Sequence, residues 1–434
     1  MVIETADVVV LGAGVAGLAA AQALVDTELD VVVLEARDRL GGRVHTDRSF
    51  AGFPLEFGAE FVHGERAPTW EWLERLGLAT VHWNKRDDSW VRMADGSRLT
   101  MAEARESDPR FDVTRSWALP DVPARPLESF GLYLQRIGFE PAQVDYVRRS
   151  FANAAGESLR HLDAASMLDS IAGSAQTGHE DFRIVEGYGA VLEALGIGAE
   201  IRTQAVVERV ELEAGGVRVY TAGGERYDAK LLVCTLPVGV LAAGDVDFAP
   251  GLPADKLNAL RGLGMGPAVK CVYRFREPLT PPGIKAIYAS GRAPMWWTPS
   301  FGHETDAVVW TAFVTGDAAM DLLRRGEEEA LDDALESLRR ELGRPGLQAV
   351  DARLVDWVSD PFARGGYSYV RPGHKGAREL LAQPSPPVLW AGEATAPEAD
   401  AATVHGALQS GRRAAMEVLE LLKPRAYDGS EVVL

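Results

Sequence analysis

The sequence predicts an α/β fold in two parts, a doubly wound domain and a second α+β domain, from three observations. A strand–glycine–helix–strand unit occupies residues 7–43, and apolar strand-like runs return at Leu231–Thr235 and after Pro387. The stretches between them are helical or carry a different strand pattern. At 434 residues the chain exceeds one simple core and suits two domains of ordinary size.

Asp7–Leu11 is an apolar, β-branched run of the kind found in buried parallel strands, and it leads directly into Gly12, Gly14 and Gly17. Val15–Val25 is rich in Ala and Leu and lacks Pro, which favours a helix. After a polar turn, Val31–Leu34 reads as a second strand closed by Glu35. These are the parts of a Rossmann-like dinucleotide site. Gly12 permits the tight turn, Gly14 lets a pyrophosphate approach the backbone, and Gly17 lets the helix lie close on the sheet. Glu35 stands where a ribose 2′-hydroxyl is bound, and an acid there argues against a 2′-phosphate. Glycine spacing alone is weak evidence, but here strand, glycines, helix, strand and acid come in order.

Arg37 and the turn Gly41-Gly42-Arg43 exceed what a bare NAD fingerprint needs, and an arginine there suits a second stretch of a longer cofactor. The run Glu35–Arg43 followed by Glu56–Gly64, EFGAEFVHG, resembles the FAD-containing amine oxidases: polyamine oxidases, monoamine oxidases and lysine-specific histone demethylases.

Composition excludes other classes. A net charge of −18 opposes nucleic-acid binding, which calls for a basic footprint, and favours a cationic small molecule, although an acidic surface also solubilises. Cys234 and Cys271, the two cysteines, lie in apolar runs and form neither a disulfide framework nor a metal site. The first strand begins within ten residues of the start, and no apolar run reaches the roughly 18 residues of a membrane helix. The expectation is a soluble protein of a reducing, cytoplasmic compartment, monomer or homodimer.

Residues 68–118 read as irregular, with Trp70, Trp72, Trp83, Trp90 and Trp117 among charges. The proline-marked break Leu119–Pro126 precedes a helical pattern over 127–170, with Phe130, Leu134 and Ile137 in phase. Ile184–Leu195 reads as a return to the nucleotide-binding domain. Thr203–Glu211 and Val217–Pro237 read as strands, the latter turning at Ala222–Gly224. Lys270 interrupts an apolar strand-like run, Gly264–Phe275, and is partly buried if alternation holds. Trp296, Trp297 and Phe301 form either core or an apolar wall for a substrate. Gly316–Gly343 is amphipathic and helical, Pro387–Ala394 a strand and turn, and Thr403–Leu422 a long amphipathic helix ahead of a polar tail.

The resemblance implies roles for several of these residues. It makes His63 a substrate contact and sets Val207 at the adenine through its backbone. Lys270 becomes the lysine whose water meets flavin N5, and Tyr367, in Gly-Gly-Tyr-Ser-Tyr, stands against the flavin face. Glu393 meets the ribityl and pyrophosphate region, while Thr403 and Val404 aim backbone N–H groups at the flavin, with Thr403 replacing a second cage aromatic. Gly366 stands where monoamine oxidases carry their flavin-linking Cys, so the FAD is expected to be non-covalent. The implied reaction is hydride transfer from a primary or secondary, polyamine-like amine, with imine hydrolysis and reoxidation by O2 giving H2O2. The implied domains are 1–80, 181–263 and 386–434 for FAD, and 81–180 and 264–385, with the helical insertion, for substrate. Rival readings are an L-amino-acid oxidase, for which no cation to hold a carboxylate is evident, and a non-catalytic FAD-binding protein. A histone demethylase would call for extra domains or a coiled-coil tower.

Overall fold

The structure, a computed structural model, describes residues 2–111 and 119–423, so Trp117 and the polar tail beyond 423 lie outside it. The strand Ile3–Leu11 pairs in parallel with Val31–Leu34 on one side and Arg226–Cys234 on the other. Its inner half is buried on both faces, Val8, Val9 and Val10 being wholly inaccessible, which is why that half is continuously apolar. Its outer half, Ile3–Ala6, extends the strand four residues beyond the predicted start by pairing with Arg226–Ala229.

The sheet has eight strands. Glu200–Arg202 flanks Val31–Leu34, and Arg226–Cys234 continues through antiparallel Gly216–Thr221 and Val207–Glu213 to Asp247–Ala249. Val388–Trp390 joins it in parallel, more than 150 residues after Arg226–Cys234. One face packs Val8, Val10 and Val33 against the helices Val15–Leu24 and Val404–Leu422. The other packs Val9, Leu11 and Val32 with Leu232, Val238, Leu260 and Trp390.

The strand expected from Thr203 begins only at Val207 and runs to Glu213. Glu200–Arg202 and Val207–Glu213 are separated by a break at Gln204, whose φ is +59°. The break has a purpose: the N–H groups of Gln204 and Ala205 donate to the carbonyls of Arg37 and Glu35, each at 2.9 Å or less. It ties this loop to the acid that closes the second strand.

A seven-stranded sheet runs in the order Asp351–Asp356, Ala268–Phe275, Val308–Thr315, Met295–Trp297, Ala286–Tyr288, Ser89–Arg92, Arg98–Thr100. The helices Gly316–Leu323 and Glu327–Leu342 bury their apolar stripes on it, as their periodicity predicts. A three-stranded sheet places Asp181–Ile184 between Phe61–His63 and Thr80–Trp83, with Asp181 opposite His63 on one side and Trp83 on the other. Before that strand, Phe130–Arg136, Pro141–Val147 and Ala164–Thr177 are helices, with Phe130 and Leu134 fully buried, as the pattern over 127–170 predicts.

Residues 68–111 are not irregular. They hold the helices Trp70–Leu76 and Met101–Ser107 and the short strands Thr80–Trp83, Ser89–Arg92 and Arg98–Thr100. Thr80–Trp83 and Ser89–Arg92 owe their existence to partners supplied by distant segments, Asp181–Ile184 and Ala286–Tyr288, so local pattern does not announce them; Arg98–Thr100 then pairs on Ser89–Arg92. The helix Met101–Ser107 does carry a local sign, a capping box between Thr100 and Glu103.

Gly17 is a steric requirement of this architecture. A Cβ there would lie 1.9 Å from the carbonyl oxygen of Gly12. Gly17→Ala is expected to destabilise the fold by about 1–3 kcal/mol through forced separation of helix and strand. Chemical denaturation of the purified variant checks this, and an unchanged midpoint would refute it.

Candidate active site

At the end of the first strand Gly12 turns with φ +97°, and the helix that follows presents its N-terminus to the crevice. Glu35 is buried, and its carboxylate accepts from the N–H of Ala13 and of Arg37, both at 2.8 Å. A Cβ added at Gly14 would meet nothing closer than the Gly41 oxygen at 3.9 Å, so the protein itself leaves an open approach at this residue. Gly42 has φ +57°, and Arg39, a residue not singled out from sequence, donates to the carbonyls of Leu40, Gly42 and Val44 and holds the turn in shape. Val206 and Val207 complete this end.

Charged contacts join the crevice to the C-terminal third. Arg37 meets Asp360 at 2.6 Å and stacks over Phe362. Arg43 donates to Glu393 at 2.8 Å and to the Gly366 carbonyl at 2.9 Å. Glu393 also accepts from the N–H and hydroxyl of Ser368 and from the N–H of Ala402, whose φ is +61°. Burial works against the charge on Glu393, but Arg43 and Arg378 outweigh it and hold the carboxyl below its ordinary value. The buried Arg378 braces Ser368 from behind.

Beyond the junction, Tyr367 donates its hydroxyl to the Ala154 carbonyl, and a Cβ on Gly156 would strike its ring at 2.5 Å. The Thr403 hydroxyl accepts from Gly406 N–H at 2.9 Å and donates to the Asp400 carbonyl. Both its hydrogen-bonding functions therefore serve as the cap of the helix Val404–Leu422.

Lys270 is buried, with neighbours on both sides of its strand. It donates to the Glu56 carbonyl and to Glu60, each at 2.9 Å, and lies over the Trp297 ring. The other Glu60 oxygen accepts from Trp297 at 3.0 Å and stands 3.4 Å from Arg183. Of the aromatic trio predicted as core or wall, Trp297 is wall, whereas Trp296 packs on Tyr273 in the core.

His63 pairs with Asp181 at 2.8 Å and is half exposed. Asp181 also pairs with Lys85, a residue that sequence reading passed over. Glu180, the neighbouring acid, turns away to His82. Burial opposes the Asp181 charge, but Lys85 first and His63 second hold its carboxyl well below the usual range.

One cavity of about 500 Å³ runs from Gly12, Glu35 and Val207 to Lys270, Trp297 and Lys85. It collects every predicted site residue except Gly17, which lies beneath Gly12. An acid at a strand end, an open glycine backbone, a helix N-terminus and a continuous extension past Arg43 fit a long flavin dinucleotide.

A model of the flavin containing amine oxidoreductases matches residues 15–419. The chain belongs to this family. It is an FAD-dependent amine oxidoreductase. It is 31% identical to polyamine oxidase 4 of Oryza sativa subsp. japonica, across 97% of this chain and 92% of that one. It is also 27% identical to lysine-specific histone demethylase 2 of Homo sapiens, across 95% of this chain but 53% of that protein. The fold matches a wild-type putrescine oxidase bound to putrescine with a TM-score of 0.80 and 24% identity, covering 96% of this chain and all of that one. Cyclohexylamine oxidase from Brevibacterium oxydans IH-35A matches at 0.79 and 21% over the same share of each chain.

Two expectations follow from this geometry. Gly14→Val is expected to leave the melting temperature of the apoprotein within about 2 °C while weakening FAD retention at least about tenfold, since the space it fills is the ligand's. Equilibrium dialysis against FAD reads this, and unchanged retention would count against the assignment.

Burial pushes the Glu56 carboxyl up to about 7, against hydrogen bonds from Tyr188 and Thr46 that favour its charged form. An acid with a raised folded value stabilises fully below its unfolded value, and that contribution is lost as pH rises through the folded one. Glu56→Gln should therefore gain stability relative to the native chain between about pH 5 and about pH 8, by roughly 2–3 kcal/mol. Denaturation across that range would refute the assignment if the difference stayed constant.

Proposed function

We propose that the chain oxidises a primary or secondary amine at the carbon bound to nitrogen, with O2 as acceptor. The observation that carries this reading is the buried ammonium of Lys270 in the same cavity as Tyr367, Trp297 and the dinucleotide crevice. When bound, FAD supplies the hydride acceptor and reduces dioxygen to H2O2, and the imine product is hydrolysed by water.

The protein's part is placement, exclusion of water and charge. Phe61, Trp83, Trp297 and Phe313 give the substrate an apolar wall, and Tyr367 is locked by its bond to Ala154. A fixed geometry of this kind removes the entropy cost of bringing C–H and acceptor together. Lys270, oriented by Glu60 and the Glu56 carbonyl, is a fixed positive charge that favours build-up of negative charge during oxygen reduction. No side-chain nucleophile is required.

Non-covalent retention of FAD is supported by Gly366, where an added Cβ would lie 2.6 Å from the Ala268 Cβ, leaving no room for a linking cysteine. Neither Cys234 nor Cys271 lines the cavity, and burial pushes both thiols up to about 12. The names of the relatives support a polyamine-like substrate. The cavity sets a condition on it, since a distal ammonium needs a carboxylate free to receive it. An L-amino-acid oxidase remains the second reading, because Lys85 brings a cation into the cavity.

Anaerobic mixing with polyamines, arylalkylamines and L-amino acids is the direct test, with bleaching by an amine expected. A flavin that dithionite bleaches but none of these compounds does would favour a non-catalytic FAD-binding protein. Turnover should rise from about pH 7 into the alkaline range, because the free-base fraction of an amine grows about tenfold per unit below its pKa. Lys270→Met should retain FAD and slow the reaction with oxygen by about tenfold or more. An unchanged oxidative half-reaction would remove the role given to Lys270.

A further inference from the structure

The carboxylates that line the cavity are Glu35, Glu60, Asp181, Asp245 and Glu393. Each is already engaged. Glu35 takes two backbone N–H groups, Glu60 takes Lys270 and Trp297, Asp245 takes Arg364, and Glu393 takes Arg43 and Ser368. Asp181 stands apart from the cofactor crevice, among Phe61, His63, Trp83 and Lys85. Of the five it is the one whose strand lies between Phe61–His63 and Thr80–Trp83.

We infer that Lys85 is a specificity-determining residue, which neutralises Asp181 so that the favoured substrate is an amine whose distal end is uncharged and apolar. This rests on the amine-oxidase reading and departs from the polyamine-like substrate that the names of the relatives suggest. Lys85 Nζ pairs with one Asp181 oxygen while His63 holds the other, and the Lys85 ammonium lies over the Trp83 ring. Its side chain keeps a third of its exposure and faces the cavity. A second ammonium brought here would lose its water and meet a carboxylate already compensated, with Lys85 beside it to repel it. A distal carboxylate would face Asp181 in the same way. A hydrocarbon or aryl end loses nothing by contact with Phe61, Trp83, Met295 and Trp297.

Hexylamine, 1,6-diaminohexane and 6-aminohexanoate share one chain length and differ only in the distal group. The holoenzyme should show a kcat/KM for hexylamine about tenfold or more above either of the others. Lys85→Met uncovers Asp181 and should raise the diamine-to-hexylamine ratio by about tenfold or more, while Asp181→Asn uncovers Lys85 and should raise the ratio for 6-aminohexanoate. Lys85→Arg, which keeps the charge, should leave the native order. The inference is overturned if the native enzyme takes the diamine as well as hexylamine, or if both charge-removing variants leave the ratios within about twofold of native. The native ratio decides the point even where a variant does not fold. If none of the three, nor benzylamine, reduces a flavin that dithionite bleaches, the amine-oxidase reading fails, and the role of Lys85 fails with it.

Discussion

The ion pair between Arg43 and Glu393 spans 350 positions of sequence, and its carboxylate is buried. A carboxylate there is tolerated only when its lone pairs are all engaged, and removal of a partner leaves an uncompensated buried charge, a loss of roughly 3–5 kcal/mol. Glu393 meets that demand by drawing in groups from three other segments: Arg43, Ser368 and Ala402. The turn after the second strand, the segment bearing Tyr367 and the N-terminus of the last helix are thereby set relative to one another. Arg37 with Asp360 is a second ion pair between the N-terminal unit and the C-terminal third. The position of Tyr367 and the aim of the Val404 helix both depend on this junction.

A second pattern concerns charge balance. The cavity wall contains Lys85, Lys270, Glu60 and Asp181, yet each cation faces a carboxylate. Paired charges of this kind in a partly desolvated space create a strong local field with little net potential. The field at Lys270 is oriented by three neighbours, whereas at the buried Asp181 the partner Lys85 keeps a third of its exposure and lines the cavity. The same chemical pair therefore serves a fixed role at one end and a selective one at the other.

Legibility from sequence followed the range of the interactions. The first strand, the glycine turn, the helix and the second strand are set by apolar runs, steric freedom at Gly12 and an acid at Glu35, all within 35 residues, and the structure has them there. Gly366-Tyr367, Glu393 and Thr403 were legible only by resemblance, since nothing local distinguishes a buried acid from an exposed one. Thr403 shows the limit: its position at a helix start was readable, but the commitment of its hydroxyl to Gly406 and Asp400 was not. In the sequence Asp181, beside Glu180, reads either as a receptor for a distal ammonium or as solvated surface, and Lys85 is one charge among many. Their meeting requires the strand Asp181–Ile184 to lie between Phe61–His63 and Thr80–Trp83, a pairing that no single stretch encodes.

The sequence by itself determined the nucleotide-binding unit, the helical stretch over 127–170 and the chemical types gathered for the site. Each of these depends on periodicity, backbone sterics or side-chain chemistry that a short window carries. Only the tertiary structure decided which charges neutralise one another. It docked the loop at Gln204 on Glu35 and Arg37, made a strand of Ser89–Arg92 beside Ala286–Tyr288, and placed Lys85 on Asp181. The physical reason is that hydrogen-bond and ion-pair partners are selected by proximity after the sheets have formed, and proximity across a hundred residues or more is a property of the packed chain.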